Sequence, residues 1–447
     1  MSTTGSRGLL RGLLIDITPL RISPAFRRVF IARAISLLGI GMLVVSVPVQ
    51  MWELTHSSVQ VGAATAVAGI TSFAGMLLGG ILADRFDRRI LILAGRSTAA
   101  AAFAGLALNA VGVFGGTPLV WVLYVLAGID GLIGALSGAA LMAAVPTMIP
   151  RRHLAAVGAL GSLTVRVGTA AAPGVAGLII NFGGVSWTYT VSAVLATITV
   201  LILLGLPSMP PHATLADAAP TGSPDGGGDD GDTVAGAPPV RPALGAFFRE
   251  SPLVLSVMLI GMVTMLGAGL VALLPALVAE RFDDRAGAVG FLMAATAAGA
   301  LIATLTSGWI SGTRRPGVVL LTAAIIGFAL IAVLGTVPTL WVALLLVLVI
   351  GFLDAIQEVV RYMLIQQHTP GPLLGRVNGI WMAQEISGVT VGALAAGAIG
   401  AFWAAPTAVV IYGLVLVVFG VVAAAALGAL RAVRGIDTRE SEITASK

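Results

Sequence analysis

Gly79-Gly80-Ile81-Leu82-Ala83-Asp84-Arg85-Phe86-Asp87-Arg88-Arg89 separates two apolar runs, each of membrane length. Such a charged block between uncharged stretches fits the end of a membrane helix, where basic side chains stay in water on the cytoplasmic side. The whole chain supports that setting. Of its 447 residues, 57% are hydrophobic and 10% charged, and mean hydropathy is +1.02. A soluble domain cannot hide so much apolar surface, so the surrounding solvent is lipid.

Composition also excludes several chemistries. The net charge of +5 sits in short loops between apolar runs rather than in a basic patch, so no nucleic-acid partner is expected. The chain has no cysteine, which removes disulfides, thiolate metal sites and thiol redox chemistry. Lys447 is the only lysine, so a phosphate-binding loop with its lysine inside the fold is absent. No cleavable signal peptide is expected over residues 1–25, which lack an apolar core followed by a small-residue cleavage site. His56, His153, His212 and His368 all fall in loops or at helix ends, which argues against an intramembrane enzyme built on a histidine cluster.

Twelve apolar runs are each long enough to cross about 30 Å of hydrocarbon. They read as 25–53, 59–83, 90–113, 118–145, 153–181 and 186–206, then 252–279, 287–311, 317–336, 339–362, 373–402 and 405–430. The expected class is an all-α membrane protein with twelve transmembrane helices in two six-helix bundles, 25–206 and 251–430. Residues 1–24 read as a cytoplasmic tail, with an amphipathic turn at Leu9–Ile17. Residues 431–447 form a second tail. Residues 207–250, rich in Pro, Gly and Asp, read as a disordered cytoplasmic linker. Arginines crowd the segments on one side of the membrane, the signature stretch, both tails and the linker among them. The opposite loops hold only Arg281 and Arg285, beside Glu280, Asp283 and Asp284. The bias predicts that both termini are cytoplasmic.

The halves repeat. Ser23-Pro24 and Ser251-Pro252, Gly62 and Gly290, and Gly80 and Gly308 are each 228 positions apart, while Pro118-x-x-Trp121 and Pro338-x-x-Trp341 differ by 220. The offset drops by eight where the signature stretch is shortened to Gly308-Trp-Ile-Ser-Gly-Thr-Arg314-Arg315. Two pseudo-symmetric bundles in parallel orientation account for this pattern. Gly75-x-x-x-Gly79, Gly134-x-x-x-Gly138 and Gly388-x-x-x-Gly392 are expected to let helices approach closely.

Ionisable residues inside spans cost at least ~2.5 kcal/mol each, so they should face the bundle interior or a cavity. Seven qualify: Arg33, Asp130, Arg166, Asp354, Glu358, Arg361 and Glu385. At 1.5 Å per residue, Asp130 and Glu385 lie about 16 Å deep, Arg166 about 18 Å, and Asp354 about 22 Å from the outer side. Glu358 and Arg361 approach the inner interface by the same count. Two readings stay open. The charges form fixed ion pairs, such as Asp130 with Arg33 or Arg166; or Asp130 or Glu385 exchanges a proton while Arg33 or Arg166 draws in an anionic substrate.

A glycine, three residues, Asp84-Arg85, then the basic pair Arg88-Arg89 resembles the signature loop between the second and third helices of major facilitator superfamily (MFS) transporters. The glycine usual before the basic pair is Asp87 here. The resemblance implies that Gly80, Asp84, Arg85, Arg88 and Arg89 form a gate on the cytoplasmic side. It selects helices 1, 4, 7 and 10 as cavity walls, and so Arg33, Asp130 and Asp354, with Asp130 and Asp354 facing the cavity from opposite halves. Many MFS antiporters carry an arginine in helix 4 where this chain has Ala127, so any such arginine must come from helix 1 or 5. Gly168-Thr-Ala-Ala-Ala-Pro173-Gly174 loosely resembles the antiporter signature of helix 5, which makes Pro173 and Gly174 a hinge.

Pro24-Ala-Phe-Arg-Arg-Val-Phe-Ile-Ala-Arg33, Val47-Pro-Val-Gln50, Thr55-His-Ser-Ser-Val-Gln-Val-Gly62 and Leu374-Gly-Arg-Val-Asn-Gly-Ile-Trp381 are similar to the enterobactin exporter branch of that superfamily. The resemblance implies a monomeric inner-membrane exporter of a catecholate siderophore, driven by the proton gradient and using no cofactor or metal. Its partners are the small-molecule substrate, protons and the lipid bilayer. A multidrug–proton antiporter, a solute importer and a non-transport membrane protein are the alternatives, in that order.

Overall fold

The computed structural model describes residues 17–209, 244–282 and 286–434. The amphipathic turn expected at Leu9–Ile17, all but its last residue, lies outside the described residues. So do the middle of the expected linker, the loop residues Asp283, Asp284 and Arg285, and the C-terminal tail beyond 434.

Among the described residues the chain is helical, without strands. The first bundle contains α1 (Pro24–Thr55), α2 (Ser58–Arg85), α3 (Arg88–Ala110) and α4 (Val120–Met148). A single 51-residue helix, Leu154–Leu204, follows. At about 1.5 Å per residue it would be roughly 76 Å long, far more than one crossing. Gly184 breaks it with φ 75° and ψ −179°, a conformation open to glycine because it has no Cβ. Its two arms are therefore separate crossings, α5 (154–183) and α6 (185–204). The second bundle contains α7 (Pro252–Leu266), α8 (Gly287–Thr306), α9 (Pro316–Leu334), α10 (Leu340–His368), α11 (Gly371–Gly400) and α12 (Ala405–Ala426). Among the described residues, eleven helices are long and apolar enough to cross a membrane, and counting the broken one as two gives twelve crossings. Gly184 falls between the expected runs 153–181 and 186–206, and Pro173, the expected hinge, stands inside α5 without a non-helical residue beside it.

The two starts that repeat in sequence also repeat in structure. The Ser23 hydroxyl accepts the Phe26 N–H at 3.2 Å, with Pro24 in the first turn of α1; Ser251 and Pro252 occupy the same places in α7. The helix contacts carry the symmetry further. A Cβ on Gly131 of α4 would lie 2.7 Å from the carbonyl oxygen of Ala68 on α2. One on Gly351 of α10 would strike the carbonyl oxygen of Thr296 on α8. Those pairs keep the sequence offsets of 220 and 228. Trp121 and Trp341, which open α4 and α10, are 62% and 82% exposed, as side chains facing the membrane boundary would be. Gly75 and Gly79 press on Leu132 and Leu136, and Gly388 and Gly392 on Met265 and Leu266. The third expected motif does not pack this way: a Cβ on Gly134 meets only the Asp130 side chain and one on Gly138 meets nothing within 4 Å.

The second bundle departs from the first at α7. After Leu266 the chain makes a 3-10 turn, Gly267–Ala272, before a short helix, Leu274–Arg281. Backbone released from a helix at membrane depth needs partners. The Tyr412 hydroxyl donates to the Leu266 carbonyl and lies 3.3 Å from that of Gly392.

The bundles are joined at the end of the molecule opposite the chain termini. There Gly62 of α2 abuts the Ala393 carbonyl of α11, and a Cβ on Gly397 would lie 2.7 Å from the Ser58 carbonyl oxygen. In the matching seam, Gly290 of α8 abuts the Pro173 carbonyl and Gly177 of α5. At the termini end, Cβ atoms on Gly80, Gly308, Gly375 and Gly379 would meet nothing within 4 Å. One end is sealed by backbone against backbone, while these glycines at the other end have open space beside them.

The Asp87 departure from the signature pattern has a local explanation. Its carboxylate caps α3 by accepting the Arg89 N–H at 2.8 Å, and it also accepts the Met209 N–H at 3.0 Å and the Ser208 hydroxyl at 2.5 Å. Arg88 N–H returns a bond to the Met209 carbonyl at 3.1 Å. Partial burial pushes the Asp87 carboxyl up, but the bonds from Ser208, Met209 and Arg89 and the Arg89 charge outweigh it and hold the group below its ordinary value of 3.8. A carboxyl depressed on folding stabilises the fold above its unfolded value and loses that contribution as pH falls through the folded one. Asp87→Ala is therefore expected to cost about 1 kcal/mol, the worth of a helix cap. The gap in melting temperature from the parent should be constant above about pH 5 and shrink below pH 4. A gap that does not change with pH would show that the carboxylate charge is not involved.

The expected linker is ordered at both of its ends. Met209 is buried with Val29, Ala83 and Ile92 of the first bundle. Residues Leu244–Glu250 form a helix whose Phe247 is buried with Val254 and Leu430 of the second. Apolar side chains within a polar, glycine-rich composition account for both exceptions.

Candidate functional site

A cavity of about 470 Å³ lies between the bundles. Its walls come from α1, α5, the broken α7, α8, α9, α10 and α11. The non-helical stretch after Leu266 lines it through Gly267, Ala268, Leu270 and Val271. Most of the lining is apolar, and four ionisable side chains interrupt it: Asp354, Glu358 and Arg361 of α10, and Glu385 of α11. The spacing of 354, 358 and 361 follows one face of a helix, so the sequence of α10 alone sets three of these groups on the same wall.

Asp354 accepts the Gln357 amide at 3.2 Å. Glu358 reaches across to the first bundle. Its two oxygens accept from the two terminal nitrogens of Arg166 on α5, at 3.2 and 3.4 Å, a forked pair between residues 192 positions apart. Both side chains are part-exposed, at 30% for Arg166 and 47% for Glu358. An ion pair open to water contributes little stability, in the range of about 0–1 kcal/mol, so it can break at small cost. Arg361 is 1% exposed. Its guanidinium lies 4.8 Å from the centre of the Trp381 ring and donates to the Thr264 hydroxyl at 3.4 Å.

The first bundle holds a second group of charges, away from the cavity wall. Arg96 of α3 donates to the Ser36 hydroxyl of α1 at 2.5 Å and lies within electrostatic reach of Asp130 and Arg33. One oxygen of Asp130 is buried without a hydrogen-bond partner. Arg33 lies near α5, where a Cβ on Gly161 would be 3.8 Å from its guanidinium.

Several expectations change. Asp130 does not line the cavity opposite Asp354. The basic side chain whose charge bears on it is Arg96; of the two expected partners, Arg33 and Arg166, Arg166 is taken by Glu358. Beside the arginines of helices 1 and 5 considered from sequence, α3 brings Arg96 within electrostatic reach of Asp130. Sequence reading passed over Arg96 because it lies about 12 Å into its span, eight residues from Arg88, and so resembles one more basic residue near a loop. Glu358 and Arg361, placed near the interface by depth counting, belong to the cavity wall. In the signature stretch, Arg89 donates to the Leu204 carbonyl at 2.9 Å. Asp84 and Arg85 are exposed and make no hydrogen bond or ion pair among the described residues.

The sequence matches the Major Facilitator Superfamily over residues 29–383. The chain belongs to that superfamily. It is a multi-pass membrane transporter and not an enzyme. Its similarity to enterobactin exporter EntS extends over the full length: 35% identity over 423 residues for the Citrobacter koseri protein, covering 94% of this chain and 96% of that one. The EntS proteins of Shigella boydii and Escherichia coli O81 match at the same identity and coverage. Among solved structures, the nucleoside transporter NupG superposes with a TM-score of 0.66 at 16% identity, over 92% of this chain and all of that one. A mutant of NupG gives the same TM-score at 15% identity. At such identity the likeness concerns the MFS fold alone.

Proposed function

We propose that this transporter is a secondary active exporter. It exchanges protons for a siderophore or similar amphiphilic small molecule by alternating access across the cytoplasmic membrane, with both termini in the cytoplasm. The observation that carries this reading is the central cavity with Asp354, Glu358 and Glu385 on its wall. Three acids inside a lipid-embedded bundle are costly without a purpose, and proton exchange supplies one. Full-length similarity to enterobactin exporters supports the substrate class. The arginine bias supports the orientation, which makes the open end the cytoplasmic one and the structure inward-facing. In this state the Arg166–Glu358 pair spans the gap between the bundles and is exposed enough to be broken when they rock.

The test uses everted vesicles with an acidic interior. A catecholate is expected to accumulate above the level of vesicles lacking the protein, and a protonophore should abolish the gain. Accumulation that ignores the protonophore, or none at all, would overturn the proposal. A second reading follows from the excess of acids over the lone arginine on the wall: a cationic amphiphile would suit it. Uptake of a cationic dye but not of the catecholate in the same vesicles would select the multidrug antiporter.

A further inference from the structure

Arg361 is a buried guanidinium whose bonding is unfinished. Of its five N–H donors, those on one terminal nitrogen face the Thr264 hydroxyl at 3.4 Å. Its Nε and other terminal nitrogen are buried without any hydrogen-bond partner. The side chain nevertheless lines the cavity. A hidden, unsatisfied charged donor is among the costliest features a protein interior can hold.

The nearby acids do not complete it. Glu358 and Glu385 lie within electrostatic reach, but both oxygens of Glu358 are engaged by Arg166, and Glu385 makes no hydrogen bond among the described residues. The guanidinium packs closely on the backbone of α7. Residue 261 is glycine, and any Cβ there would strike the Arg361 guanidinium. The Trp381 ring, another cavity-lining side chain, has its centre 4.8 Å from the guanidinium, with Tyr362 against it at a ring separation of 6.0 Å.

We infer that Arg361 and Trp381 form a binding site for an anionic aromatic group of the substrate. The planar fork of Arg361 takes a carboxylate or phenolate in paired hydrogen bonds. The substrate ring stacks on Trp381, which swings from the guanidinium to admit it. The inference rests on the exporter reading and narrows its substrate class: an aryl anion is selected through Arg361, while the acids of the wall are left to the coupling ion.

Binding of 2,3-dihydroxybenzoate to the full-length protein in lipid nanodiscs tests it, with a cationic dye as the comparison ligand. Arg361→Lys keeps the charge and loses the fork. It is expected to weaken the benzoate by about tenfold or more, the worth of a charge-assisted pair, and the dye by much less. Trp381→Phe keeps a ring and is expected to retain binding while losing the ligand-induced quenching of tryptophan fluorescence, which gives a readout should Arg361→Lys fail to fold. Equal benzoate affinity in Arg361→Lys and parent, or quenching that survives Trp381→Phe, would overturn the site, as would absence of benzoate binding by the parent. The two proposals fail separately. Arg361-dependent binding without proton-driven uptake removes the exporter reading alone, and proton-driven catecholate uptake indifferent to Arg361 removes this site alone.

Discussion

Asp354→Asn is expected to abolish proton-driven accumulation of substrate while leaving protein level and gradient-free counterflow intact. The amide has nearly the shape of the carboxyl, so the cavity and the neighbouring Gln357 are little disturbed. What it cannot do is bind and release a proton. A gradient drives a conformational cycle only through a group whose protonation differs between the two states. Each pH unit across the membrane is worth about 1.4 kcal/mol per proton, and none of it reaches the transport cycle if that group is gone. Counterflow separates this outcome from damage to the substrate path, because it needs the rocking motion and the cavity but no proton. Asp130→Asn is expected to give the same loss with protein level unchanged. One of its oxygens is buried without a partner, and its charge lies within electrostatic reach of Arg96 in the first bundle. Full proton-driven export by either variant removes that acid from the coupling path.

Gly290→Val, combined with Gly62→Val, is expected to drive the sealed end open and stop transport. At Gly290 the first added carbon would lie 2.6 Å from the Gly177 backbone and closer still to the Pro173 carbonyl. At Gly62 it would strike the Ala393 carbonyl. Neither obstacle is a flexible side chain, so relief requires that helices separate. Overpacking typically costs about 1–3 kcal/mol per site. Inverting a 99:1 population takes about 5.5 kcal/mol, which two seams together approach. The chain has no cysteine, so pairs of introduced cysteines at either end accept spin labels without background. Distances at the far end should lengthen while those near the termini shorten. Unchanged distances with normal transport would mean that these seams do not hold the bundles in place.

Much of the architecture was legible because membrane crossing imposes length and composition on every helix. The repeat was legible too, and the pairing of Gly131 with Ala68 and of Gly351 with Thr296 shows why: close contacts between helices pin glycines at fixed offsets in both halves. What escaped was relational. Arg166 and Glu358 meet across 192 positions, and nothing in the order of residues pairs those two rather than Arg166 with Asp130. Arg96 was missed because depth along a span says nothing of which way a side chain turns. The interruption of α7 carries no proline at its start; Tyr412, distant in sequence, satisfies the carbonyl it frees. The joint between α5 and α6 was legible, since Gly184 falls in the gap between the runs 153–181 and 186–206, while Pro173 sits in unbroken helix.

The cord between the bundles is moored on each side before it leaves them. On one shore Asp87 grips Ser208 and Met209, while Arg89 and Arg28 hold the carbonyls of Leu204 and Gly205. On the other, Phe247 is sunk in the second bundle. Whatever travel separates or unites the two halves must then leave both moorings in place. The signature stretch and the root of the connector move as one piece, so a tug on that connector would be felt first at Asp87.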